Sequence, residues 1–385
     1  MGGWLIFFPG EDVAPTNNRV SDQQSYLLED KIGWYRDENN IDWMITWSAN
    51  SALLMNCFKP LRSRPLIALS DTCFQWQRSS YSTRVCFQYD PAGTVRSLSL
   101  ADSTVRYMTR LPDQHYIQQE IRYTNVTDSI ELTATLFKPL STKPHPVVVL
   151  LHGSGTSDRD SFWYLYQADF LAKQGIAVLL PDKRGCGKSE GNWKTSSFKS
   201  FSEDALAAVD YLKLNGHAQG KIGFVGFSQG GWIAPLAASN SNTIAFCIVV
   251  SSSAFTPYQQ LNYEIKSDII ASGAPDFIAS LVAPLFSYRV TRTRKFWWKQ
   301  NKDYDPLTHW PVGKPALMIL GENDTQVWAE GSSKRFSEIV NVSDDSASQV
   351  KLYPNTGHAL IDPESGWIVH NYLEFLSGWI LNIAS

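Results

Sequence analysis

A serine between two glycines, Gly226-Phe227-Ser228-Gln229-Gly230, ends an apolar run of strand length at 222–227 and precedes a helix-compatible run at 232–239. Strand, sharp turn and helix form the setting that lifts a serine hydroxyl clear of a sheet as a nucleophile. Small neighbours let strand and helix cross closely and tolerate strained backbone angles. The first N–H groups of such a helix point at whatever the serine attacks, and the helix dipole favours negative charge there. A second copy of the pattern, Gly187-Lys188-Ser189-Glu190-Gly191, acts as an internal control. Charged and polar residues bound it, Asp182-Lys183-Arg184 before and Asn192-Trp193-Lys194 after, so it reads as a loop.

A serine hydroxyl is a poor nucleophile without a base, and the base needs an orienting carboxylate. His115 and His145 come too early in the chain, His217 follows a helix end, His309 lies in an irregular segment and His370 in a predicted final helix. His358, in Asn355-Thr356-Gly357-His358, sits in a loop after the last short strand, where it can reach Ser228. The acid is expected between serine and histidine along the chain. Gly321-Glu322-Asn323-Asp324 offers two carboxylates at a strand end. Asp324 is the choice, because the loop after Gly321 is then long enough to turn it inward; Glu322 is the alternative. An oxyanion hole needs two backbone donors. Gln229, directly after the nucleophile, supplies one. His152-Gly153-Ser154-Gly155, after the first buried strand, supplies the other through Ser154 or Gly155. His152 is expected to brace that loop.

These residues need a scaffold, and the pattern from about residue 116 supplies one. Two strands at 117–123 and 130–137 are joined by a polar turn. Apolar strand runs at 147–151, 176–180, 222–227, 246–250, 316–320 and 351–353 then alternate with helical stretches. One helix is expected over 200–214, opened by a capping box at Ser200 and Glu203, and a closing amphipathic helix over 368–381. Alternation of this kind predicts a mostly parallel sheet covered on both faces, with ligands beyond the carboxyl ends of the strands.

Upstream the texture differs. Ile41, Trp43, Ile45 and Trp47 alternate, and Val85, Phe87 and Tyr89 lead through Asp90-Pro91-Ala92-Gly93 into a second strand. Residues 31–110 read as a small antiparallel β domain without a catalytic constellation, after an irregular arm at 1–30. The expected units are 1–115 and 116–385, with a helical insertion at about 252–311 rich in aromatics. Within it Arg289, Arg292, Arg294 and Lys295 read as a solvated face, or as contacts for an acidic substrate group.

Composition sets limits. The chain has 385 residues, 43% hydrophobic and 18% charged, with a net charge of −3, which gives no sign of nucleic-acid binding. Five scattered cysteines without a C-x-x-C pattern argue against a disulfide framework and a structural zinc site; one bridge among Cys57, Cys73 and Cys86 stays open. No apolar run reaches transmembrane length. The apolar run at 4–8 is too short for a signal segment, which favours the cytoplasm, with the periplasm or exterior open if a leader has been removed.

The motifs together resemble the α/β-hydrolase fold, and in particular bacterial carboxylesterases with an N-terminal β domain, related to the prolyl-oligopeptidase-like and dienelactone-hydrolase-like branches. The matching stretches are His152-Gly153-Ser154-Gly155 with Asp158-Arg159-Asp160, then Asp182-x-Arg184-Gly185-x-Gly187-x-Ser189, the Ser228 turn, 321–327 and Gly357-His358. Thr156 departs from the pattern, since proline is common there. The resemblance implies a Ser228–His358–Asp324 triad, an oxyanion hole from Ser154 and Gln229, a small-molecule ester substrate, and neither metal nor organic cofactor. The competing expectations are a serine peptidase, a thioesterase, and a non-catalytic binding protein on the same fold.

Overall fold

The computed structural model describes residues 28–59, 61–76, 83–112, 115–141, 143–311, 313–342, 347–369 and 371–385. The expected arm up to residue 27, and His370, lie outside these.

Strands β1 (Gly33–Asp37), β2 (Asp42–Trp47), β3 (Leu53–Phe58), β4 (Leu61–Ala68), β5 (Cys73–Trp76), β6 (Arg84–Tyr89), β7 (Val95–Ala101) and β8 (Val105–Arg110) form a closed antiparallel barrel. Closure comes from β1 pairing with β8, with Tyr35 opposite Arg110. Trp43, Ile45, Leu53 and Met55 point into the barrel core, while Met44 and Leu54 pack into the neighbouring core. β2 and β3 are therefore buried on both faces. Cys73 and Cys86 stand opposite each other on β5 and β6 and form a disulfide, while Cys57, Cys186 and Cys247 are free and buried.

The second sheet has eight strands: β9 (Tyr116–Asn125), β10 (Ile130–Pro139), β11 (Val147–Leu151), β12 (Ala177–Pro181), β13 (Ile222–Phe227), β14 (Ile244–Val250), β15 (Ala316–Gly321) and β16 (Gln349–Tyr353). Their spatial order is 16-15-14-13-11-12-10-9. β9 and β10 are antiparallel, and β11 to β16 run parallel. Helices α1 (Phe162–Lys173), α2 (Phe198–Leu214), α3 (Gly230–Ser239), α4 (Pro257–Ala271), α5 (Asp276–Thr293), α6 (Lys295–Asn301), α7 (Ala329–Val342) and α8 (Tyr372–Ala384) accompany the sheet, with a short 3-10 turn at Pro306–His309. One face of the sheet packs on α2, α3 and α7, the other on α1 and α8. The parallel strands are apolar throughout because both faces are covered.

Two helix starts differ from the expectation. Ser197, not Ser200, caps α2: its hydroxyl accepts from Ser200 N–H. The final helix begins at Tyr372, and Ile368 belongs to β18 (Trp367–Ile368), paired with β17 (Ile361–Asp362). Ile368 and Tyr372 both enter one core, so the helical spacing was met by two different elements.

The barrel meets the second sheet through charged loops. Asp160 accepts from Ser48 Oγ and Ala49 N–H, both at 2.7 Å, and Arg159 donates to Ser48 O at 3.1 Å. Arg159 is fully buried and pairs with Glu120 and Asp182. A buried charge with paired carboxylates avoids the cost of an orphaned ion.

Candidate active site

Ser228 leaves β13 at φ 49°, a left-handed angle that a non-glycine residue adopts rarely. The turn is held by Ser228 N–H donating to Val250 O and Gly231 N–H donating to Ser228 O, both at 2.9 Å. Its glycines are required by contact. A Cβ on Gly226 would lie 2.2 Å from Gly230 O, and one on Gly230 would lie 2.2 Å from Leu151 O. Strand, helix and the neighbouring strand end could not approach so closely with any side chain there. Among the described residues Ser228 Oγ makes no hydrogen bond, so the hydroxyl is free toward solvent or substrate.

Asp324 and His358 come together because the loops after β15 and β16 are zipped. Glu322 N–H donates to Tyr353 O at 3.0 Å and Asn323 N–H to Thr356 O at 2.9 Å. A Cβ on Gly321 would lie 2.5 Å from Gly357 O, so this crossing needs a glycine. His358 Nδ1 donates to Asp324 Oδ2 at 2.8 Å. Asp324 Oδ1 accepts from Gln326 and Val327 N–H at 2.8 and 2.9 Å, which fixes the carboxylate plane. Asp324 is buried and Glu322 is exposed. Trp163 Nε1 donates to Ala359 O and its ring stands edge-on to Phe227, tying the histidine loop to the serine turn.

The first-strand loop lies against Ser228: a Cβ on Gly153 would sit 3.4 Å from Ser228 Cβ. Gly153 N–H donates to Tyr164 Oη at 2.8 Å. Ser154 and Gln229 N–H find no acceptor among the described residues, so both are available to a ligand oxygen. His152 is fully buried, bonded to Pro181 O and to Ser157 Oγ, and burial pulls its pKa down to about 4. It is therefore a neutral brace at neutral pH, not a free base.

The control behaves differently. Ser189 Oγ donates to Asp182 O at 2.7 Å and accepts from Thr133 N–H at 3.0 Å, which commits the hydroxyl to backbone. Of the other histidines, His217 stacks on Tyr211 and His309 on Tyr304.

Helices α5 and α6 close one side. Ser154, Gly155 and Gln229 share a cavity of about 30 Å³ with Trp193, Val290, Thr293, Arg294, Trp297 and Trp298. Arg294 thus faces inward, over the Trp193 ring, whereas Arg289, Arg292 and Lys295 are exposed. A solvated face describes three of the four. On α4, Tyr263 Oη donates to Asp324 O at 3.1 Å.

Sequence reasoning missed Lys183. Asp182, Lys183 and Arg184 had marked a polar loop, yet all three are buried. Lys183 Nζ donates to Gly153 O at 2.8 Å, Gly155 O at 3.2 Å and Gln229 Oε1 at 2.9 Å. No local signal separates such a lysine from a solvated one. Among the described residues no group of three or more His, Cys, Asp or Glu could hold a metal ion, and no helix is long and apolar enough to cross a membrane.

Comparison with known proteins bears on the fold. A family model described as serine aminopeptidase, S33, matches residues 142–312. Mouse acyl-coenzyme A thioesterase 5 is 23% identical over 277 residues, covering 68% of this chain and 60% of its own length. The bifunctional esterase/perhydrolase DCH of Acinetobacter calcoaceticus is 22% identical over 291 residues, covering 66% of this chain and 99% of its own. Among solved structures, the alpha/beta hydrolase GrgF from Penicillium aligns with a TM-score of 0.52 and 18% identity, over 71% of this chain and 99% of that one. The chain spans about 60% of the length of the first curated relatives it matches. The fold is that of the α/β-hydrolases, and the chain resembles their esterase, thioesterase and aminopeptidase members.

Proposed function

We propose that this α/β-hydrolase-fold chain is a serine hydrolase that cleaves carboxylic esters through an acyl-enzyme. The observation that carries the reading is the buried Asp324 carboxylate bonded to His358, in the loops after β15 and β16, at the same end of the parallel strands as the strained Ser228 turn after β13 and the loop after β11 with its unengaged N–H group. Ser228 Oγ attacks the ester carbonyl and its proton passes to His358 Nε2. Asp324 holds the tautomer with Nδ1–H and stabilises the imidazolium. Ser154 and Gln229 N–H receive the tetrahedral oxyanion. The alkoxide leaves with the proton from His358, and water, with His358 as base, then releases the acid. Residues 116–385 form the catalytic unit on this reading, α4–α6 its cap, and the barrel a support for the Asp158–Asp160 loop.

The likeness to an aminopeptidase family and to thioesterases makes peptides and thioesters the competing substrates. A panel of p-nitrophenyl esters, acyl thioesters and aminoacyl p-nitroanilides tests the reading. Esters turned over fastest support it; amides turned over as fast as the best ester replace it with a peptidase.

A further inference from the structure

Lys183 occupies an unusual place for a cation. It is buried beneath the serine turn, at the start of the loop after β12, with its ammonium between two elements that supply the proposed oxyanion donors. Three donors meet three acceptors: Gly153 O, Gly155 O and the Gln229 side chain. The rings of Phe201 and Trp193 lie 5.1 and 5.5 Å from Nζ. Burial draws its pKa down to about 8, so it stays mainly protonated at neutral pH.

Gly153 C=O and Ser154 N–H belong to one peptide group. A trans peptide holds its carbonyl and N–H antiparallel. A bond that pins Gly153 O toward the lysine therefore points Ser154 N–H away from it, and Gly153 itself abuts Ser228. A charged donor on the carbonyl also polarises the peptide and strengthens its N–H as a donor. The same ammonium fixes the Gln229 side chain, and with it the residue carrying the second N–H.

We infer that Lys183 is a positioning residue for the oxyanion hole, holding the Gly153–Ser154 peptide and Gln229 in register so that both N–H groups meet the transition-state oxygen. This deepens the serine-hydrolase reading and rests on it. Lys183 does not touch substrate. It acts on the step in which the carbonyl oxygen gains charge, so its loss should weaken transition-state binding and spare ground-state binding.

The test is Lys183→Met, assayed on p-nitrophenyl butyrate and with a trifluoromethyl ketone of matching acyl group. That ketone accepts Ser228 Oγ at its carbonyl carbon, its oxygen becomes an oxyanion, and the serine proton goes to His358. The expected result is a kcat lower by about 10²-fold, with KM within about twofold and ketone affinity reduced by the same factor as kcat. If the methionine variant does not fold, Lys183→Gln, which keeps an amide NH2 but no charge, should show the same split at smaller size. Unchanged kcat, or a raised KM with unchanged ketone affinity, overturns the assignment. Fluorophosphonate labelling of the wild type separates the two claims. A labelled Ser228 beside an unaffected Lys183 variant removes only the lysine's role; an unlabelled Ser228 removes the hydrolase reading itself.

Discussion

Asp324 Oδ2 accepts the Nδ1–H of His358 at 2.8 Å across 34 residues of chain. The pairing leaves Nε2 as the free nitrogen of the ring, the one a nucleophile would use. Two further N–H bonds to Oδ1 mean that the carboxylate cannot rotate away without losing both. Asp324→Asn should therefore cost activity out of proportion to its size, because the amide can stabilise the wrong tautomer. A loss approaching ~10⁴-fold in kcat is expected. Glu322→Gln, at an exposed neighbour, should stay near wild type. Equal and mild effects of the two would remove Asp324 from its role.

Glu264 predicts a pH dependence of stability. Its carboxyl keeps its proton to about 8 in the fold, against an ordinary value of 4.5 when unfolded. Between these values the folded chain binds more protons than the unfolded one. This contribution to stability is therefore fully present below about 4.5 and is lost as pH rises through about 8. Glu264→Gln abolishes it. The melting temperature of the variant minus that of wild type should grow steadily from pH 5 to pH 8. A difference that stays constant with pH would contradict the buried, neutral acid.

The cavity beside Ser154 and Gln229 predicts acyl selectivity. At about 30 Å³ it has room for little more than a water-sized group, and Trp297 and Trp298 are packed into its wall. p-Nitrophenyl acetate should show a kcat/KM at least about tenfold above octanoate, with butyrate between them. Octanoate as the best substrate would mean that the acyl chain lies elsewhere or that α5 and α6 open.

The strand, turn and helix around Ser228 and the pairing of Asp324 with His358 were legible in the sequence, because each rests on a local pattern readable from a few neighbours. The parallel sheet follows from apolar runs alternating with helical stretches. Barrel closure was not readable, because β1 meets β8 across more than 60 residues of chain and strand edges carry no label for their partner. The Cys73–Cys86 bridge depends on the same register. Lys183 escaped for another reason. Charge in sequence usually marks solvent, and only the fold shows that three acceptors enclose this ammonium.

Ser228 and Ser189 both sit in a G-x-S-x-G pattern, and only their surroundings separate them. Reaction with a fluorophosphonate, followed by peptide mapping and by turnover of p-nitrophenyl butyrate in the two alanine variants, tells which serine is the nucleophile. The expected result is a single adduct on Ser228, a Ser228→Ala variant that melts like wild type but has lost about 10⁴-fold or more in kcat, and a Ser189→Ala variant that keeps its turnover. An adduct on Ser189, or a Ser228→Ala variant that still hydrolyses the ester at the wild-type rate, would contradict it.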